Sequence, residues 1–385
     1  MTTPRSTVPG RRLLVAAGLT AALLVVPTTP ASAGTHHGPT PPKPVVRSDQ
    51  LAAPFNLDVS GRSVLVADGS QNLVGTLARD GSITPIATDQ PGASGIARSA
   101  DGRRIAWTTT ETDPATFENS ASGLTIKGPR GRMVHADTLA HEQSRNPDQG
   151  IHYGVTNPSQ CVVDAFTAAG FPVSYDGGID SHAYSVAATR SGWVVADAGA
   201  NDILAVSNSG RIRTLAVLPA QPLTITADMA AALGLPDCVA GVTYAFESVP
   251  TEVEVGRDGM LYVTTLPGGP ESPVLGARGA LWRVDPRTGH VRRIAGGFLG
   301  ATNLALGSHG EIYVAELFGG RISVVRHGKV SPYLDLPGVV AVETGGHGDL
   351  WAGTLGNEDP PAPGTIVQIT GGKAHWKGGP HRVGR

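Results

Sequence analysis

Seven polar side chains in this chain are of types that do chemistry: Asn56, Asp68, His182, Asp197, Glu252, Asn303 and Glu316. Each lies at or beside one end of a short apolar run, not within a polar stretch. Carboxylate and amide oxygens arriving from several separate segments are what a hard cation such as Ca²⁺ requires. Glu252, Asn303 and Asp197 are the set that could hold one. Converging carboxylates can also serve as acid and base. The same groups can instead cap strand ends and bind channel water. No catalytic residue is assigned, because no Gly-x-Ser-x-Gly elbow is present. CxxC pairs are absent, and no Cys/His spacing suits zinc. The Gly-Gly pairs at 296–297 and 319–320 do not open a phosphate-binding helix.

The elements that must position these groups are short strands. One pattern recurs six times: an apolar strand, a polar turn with glycine, and a second strand rich in Val, Ile, Tyr or Trp. The turn glycines are Gly61, Gly102, Gly192, Gly259, Gly310 and Gly348. After them come runs such as Val64-Leu65-Val66-Ala67, Trp193-Val194-Val195-Ala196 and Tyr313-Val314-Ala315. Weaker third and fourth strands follow in most units. Six units of four strands predict a six-bladed β-propeller, in which radial packing leaves only short edges. A β-sandwich is the competing architecture. Either Pro44–Arg47 or Lys373–Trp376 can supply the strand that closes the ring.

In a four-stranded blade, the link into the first strand and the loop after the second open on the same face. The insertions at 140–180 and 219–248 precede a first strand. Leu266–Gly279 and Gly356–Gly364 follow a second. All four therefore decorate one face, and loops held by a rigid scaffold are where binding residues concentrate. A column of inner-strand positions reaches the axial channel there: Asn56, Gly95, Ser185, Glu252, Asn303 and Ala341. Asp68, Asp197 and Glu316 end second strands at the same rim, and His182 lies just ahead of the third inner strand. Residues 228–235 read as one short helix within an insertion.

Composition fits this picture. The 385 residues include 51 Gly and 30 Pro, against a charged share of 16%. That balance excludes a long-helix protein and favours many short strands. A hydrophobic share of 40% suffices for a sizeable core. A formal net charge of −2 removes the electrostatic footprint of a nucleic-acid binder. Arg5, Arg11 and Arg12 lead an apolar run, Leu13–Val26, ending at Ala31-Ser32-Ala33, and residues 1–33 read as a cleaved secretion signal. Residues 34–44 read as a Pro-rich linker, 45–379 as the propeller and 380–385 as a tail. A secreted, extracellular protein is expected, with no membrane contact after cleavage and a monomeric state. In that oxidising setting Cys161 and Cys238 most simply form a disulfide, tying two insertions together; two separate buried thiols are the other arrangement.

The chain resembles the ScyD/ScyE family of secreted proteins over about residues 51–370. The stretches that carry the likeness are Ser181–Ala187, Val195–Asn201, Leu235–Cys238, Val249–Val255 and Leu266–Glu271. That resemblance implies a secreted propeller and transfers no catalytic residue. More distantly the repeats are similar to NHL-type and gluconolactonase-like propellers. The latter hold a divalent ion on the axis, and Glu252 with Asn303 would be the counterparts here. Two functions follow. One is a binding module whose capped axial face takes a small molecule, glycan or protein. The other is a Ca²⁺-dependent hydrolase or lactonase at the channel mouth.

Overall fold

The computed structural model describes residues 42–345 and 348–371. The expected signal at 1–33, linker residues 34–41, the stretch from 372 to the tail at 380–385, and His347 lie outside the described residues. Six four-stranded antiparallel sheets form the blades. Their first strands are Pro54–Ser60, Ile96–Arg98, Ala183–Ala188, Pro250–Val255, Ala301–Leu306 and Val339–Thr344, in blades 1 to 6. Each first strand packs beside the next, and the sixth packs beside the first. The ring is closed.

Strand alternation explains the closure. Successive side chains point to opposite faces of a sheet, and both faces of every blade are covered by neighbours. In Ser63–Asp68, Val64 and Val66 pack towards blade 6, while Leu65 and Ala67 pack towards blade 2. In Gly192–Asp197, Trp193 and Val195 face blade 2, while Val194 and Ala196 face blade 4. The second strands therefore read as unbroken apolar runs. One apolar cluster fills each of the six blade interfaces. Trp107 and Trp193 are the largest fully buried side chains in these layers.

The N-terminal alternative closes the ring. Lys43–Leu51 is the outer strand of blade 6, in the order Lys43–Leu51, Gly364–Thr370, Leu350–Thr354, Val339–Thr344. Val45 pairs with Gln368 and Val46 with Val367. The strand begins at Lys43, two residues before the propeller start expected at residue 45. Five of the six turn glycines have positive φ, from +61° at Gly61 to +88° at Gly310. Gly192 is the exception. It opens a strand, where an added Cβ would come within 2.4 Å of the Val206 carbonyl oxygen.

A correction concerns the insertions. They are not merely loops: they build a seventh four-stranded sheet outside the ring. Its strands run Ser174–Asp176, His152–Gly154, Thr243–Phe246, Gln221–Thr224, two from each insertion. Three helices accompany it: α1 (Thr138–Arg145), α2 (Gln160–Ala168) and α3 (Ala227–Ala232). Asp137, Ser159 and Thr226 cap them, each side chain accepting an N–H from the first turn. This cap has its own apolar core, including Val162, Phe166, Leu235, Val239 and Tyr244. The Cys161–Cys238 disulfide is formed and joins α2 to the short helical turn Asp237–Val239.

Candidate functional site

Three of the sequence candidates meet at the centre of the ring. Glu252 is buried on the first strand of blade 4. Asn56 and Asn303 both donate from Nδ2 to its Oε2. Ser185 Oγ and the Val253 N–H donate to its Oε1. Blades 1, 3, 4 and 5 are thus tied through one carboxyl group. Burial pushes Glu252 up to about 8, against the lowering effect of the Ser185, Val253 and Asn56 hydrogen bonds. Gly95 completes the ring by absence of a side chain: a Cβ there would lie 2.8 Å from Ser185 Cα.

The other carboxylates serve a different purpose. Asp68 accepts from the backbone of Ala52, Ala53 and Gln71. Asp197 accepts from Ser181 Oγ and from the amides of His182, Gly199 and Ala200. Glu316 accepts from the Leu299 amide, Arg321 and Ser323. All three are fully buried. Each pins the chain entering its own blade to the end of that blade's second strand. Burial also pushes Asp197 up to about 6. The structure does not bring these three to Glu252.

The Ca²⁺ set does not fit. The two asparagines are oriented by their carbonyls: the Val342 amide donates to Asn303 Oδ1 at 2.9 Å, and the Ile96 amide to Asn56 Oδ1 at 3.4 Å. Their NH₂ groups therefore face Glu252. A cation would need the oxygens turned inward, which sets NH₂ against backbone N–H. Asp197 is engaged in blade 3. Among the described residues no three His, Cys, Asp or Glu side chains gather as a metal-binding group.

Directly above this ring lies a cavity of about 640 Å³ between propeller and cap. Its floor is six residues, one per blade: Phe55, Ser94, Tyr184, Thr251, Thr302 and Val340. Each immediately precedes a ring position. Regular alternation cannot send two consecutive side chains to the axis. In blades 1, 3, 4, 5 and 6 the pairing register shifts at this residue, between Pro54 and Asn56, Ala183 and Ser185, Pro250 and Glu252, Ala301 and Asn303, and Val339 and Ala341. A β-bulge at each site re-aims the extra residue. In blade 2, Ser94 and Gly95 lie just ahead of the strand and hold its partner through Thr108 Oγ1, which accepts from the Gly95 amide at 2.7 Å.

The roof comes from the cap, where Phe166, Tyr244 and Phe246 line the cavity. Phe166 stacks on Tyr244 with centroids 5.4 Å apart, and Phe246 lies tilted against Tyr244 at 4.5 Å. Arg278 backs Phe246, its guanidinium carbon 4.5 Å from the ring centroid, and donates to the Gly268 and Pro267 carbonyls. The side wall carries Leu266, Glu271 and Leu275 from the loop after the second strand of blade 4. Phe117 sits at the rim on a hairpin the sequence reading left unremarked, between Ile105–Thr112 and Asn119–Lys127. It is 47% exposed and adopts φ +59°, a costly backbone for a bulky residue. Of the seven sequence candidates, only His182 lines the cavity; burial lowers it to about 4, so it is neutral.

No family model and no curated protein matches the chain. Solved structures do match it in shape. A gluconolactonase from Xanthomonas campestris aligns at 11% identity over 86% of this chain and 90% of its own, with a TM-score of 0.52. A luciferin-regenerating enzyme aligns at 10% identity over 86% and 95%, with a TM-score of 0.51. A streptogramin B lyase aligns at 16% identity over 86% and 97%, with a TM-score of 0.47. At these identities the likeness is one of fold, and the chain is a β-propeller.

Proposed function

We propose that this protein is a binding module that holds a small, largely apolar molecule in the cavity between its propeller and its cap. The observation that carries the reading is the cavity itself. Its volume of about 640 Å³ falls within the range of about 300–1,000 Å³ usual for small-molecule sites. Aromatic side chains make its roof, and its floor mixes Phe55, Tyr184 and Val340 with the hydroxyls of Ser94, Thr251 and Thr302. A glycan or a protein surface would suit an open polar cleft better than this roofed chamber. The hydrolase reading has less support, because Glu252 is enclosed by four donors beneath the floor and its neighbours are turned away from a metal role.

The ScyD/ScyE resemblance, secretion and a monomeric state belong to the same proposal. The disulfide supports an oxidising compartment. Among the described residues no helix is long and apolar enough to cross a membrane.

Nile red, an uncharged apolar dye, tests the proposal. Its emission is expected to rise saturably with purified protein. Leu266→Trp, which fills the side wall, should weaken binding at least fivefold without lowering Tm. EDTA should change neither the titration nor the melting curve. Unsaturable dye uptake, or uptake indifferent to Leu266→Trp, overturns the binding reading.

A further inference from the structure

Among the described residues the ionisable carboxyls that line the cavity have no Lys or Arg neighbour in the lining. Glu111, Glu247 and Glu271 line it, and among the described residues no Lys or Arg does. Arg278 is turned to the far side, over Phe246 and the Pro267 and Gly268 carbonyls. His182 is neutral there. Among the described residues, an anionic ligand would meet carboxylates and neither Lys nor Arg in the lining.

One corner is more particular. Tyr184 lies with its ring centroid 6.1 Å from that of Phe55 and 5.5 Å from that of His182, with interplanar angles of 53° and 59°. These tilted rings give that corner an aromatic lining. Burial raises the Tyr184 phenol, and the charges of Glu271 and Glu252 add to it; Glu271 and Tyr184 line the same cavity. Aromatic faces attract a cation within about 6 Å of the centroid, most strongly when the site is dry. Glu271, which lines the same cavity, supplies a carboxylate partner. Burial alone raises Glu271, to about 7. Such a carboxyl gains most from a cation delivered into the site.

We propose that the cavity takes a lipophilic monocation, an amine or quaternary ammonium on an apolar body, with the charged head at Glu271 against Tyr184 and Phe55 and the body under the Phe166–Tyr244–Phe246 roof. This rests on the cavity being a binding site. Glu271 acts as the counter-ion, and the roof supplies apolar contact.

Three probes of one shape separate the two claims: 4-phenylbutylammonium, 4-phenylbutanol and 4-phenylbutyrate, titrated into the full protein by calorimetry at fixed ionic strength. The cation is expected to bind at least tenfold more tightly than the anion, with the alcohol between. Glu271→Gln should weaken the cation about tenfold and leave the alcohol within about twofold. Equal or tighter binding of the anion overturns the cation inference, as does a Glu271→Gln protein that keeps the full charge preference. In both cases alcohol binding would leave the cavity reading standing. If none of the three binds, the cavity reading fails and the inference fails with it.

Discussion

Two residues past the upper ring, the inner strands carry a second tier of carboxyls: Asp58, Glu254 and Glu343. Among the described residues only Asp58 is paired with a cation, Arg98, at 3.1 Å. Burial raises Glu254 to about 8, with Glu252 and Asp58 adding to it. Glu343 is raised well above the usual range by burial and by Glu254. Folded protein therefore binds more protons than unfolded chain between about pH 4.5 and pH 8. Stability from these groups falls as pH rises through that window and levels off above it. Glu254→Gln removes one charge from the tier, so its Tm is expected to match wild type near pH 5 and exceed it by roughly 2 °C or more at pH 8.5. A thermal-shift series over pH checks this, and an equal offset at both ends would refute it. At this scale the sequence was half legible. Asn56, Glu252 and Asn303 stand out because polar groups at strand starts break an apolar pattern. Phe55, Tyr184 and Thr251 do not, because only the bulge turns them to the axis, and nothing in a single strand announces a bulge.

Among the elements, the cap holds the greatest surprise. Both insertions and the face they decorate follow from counting strands, and the short helix near 228–235 is found as α3, Ala227–Ala232. The sheet inside them could not be read. Its strands are three or four residues long, and its central pairing, Gly154 with Ala245, joins segments separated by the whole of blade 3. No local periodicity survives at such length. The disulfide spans 77 residues. By chain entropy it is expected to add about 4–5 kcal/mol. Cys161→Ser with Cys238→Ser should accordingly lower Tm and expose 140–180 and 219–248 to limited proteolysis before the blades are cut. Nile red affinity should fall in parallel. Blades cleaved together with the cap would contradict a separately ordered roof.

The whole molecule depends on a stitch between its two ends. Lys43–Leu51 pairs along Gly364–Thr370, and Leu51 is buried in the apolar layer between blades 6 and 1. Removing residues 1–42 is expected to leave Tm within about 2 °C. Removing residues 1–52 should cost roughly 10 °C or more, or abolish soluble expression, because it bares the edge of blade 6 and takes Leu51 out of that layer. Comparable melting of the two truncations would argue against this closure. Sixfold repetition was legible because each unit repeats the same turn and the same two-sided apolar strand. The choice of closing strand was not, since both ends offer a short run of suitable residues.

The roof is assembled from two stretches of chain with a blade between them. It cannot be transplanted as a single cassette. Anyone recasting another propeller with this chamber must graft both halves and the spacer that sets their distance. Because Phe166 from one half rests on Tyr244 from the other, a substitution in either alters what its counterpart leans on.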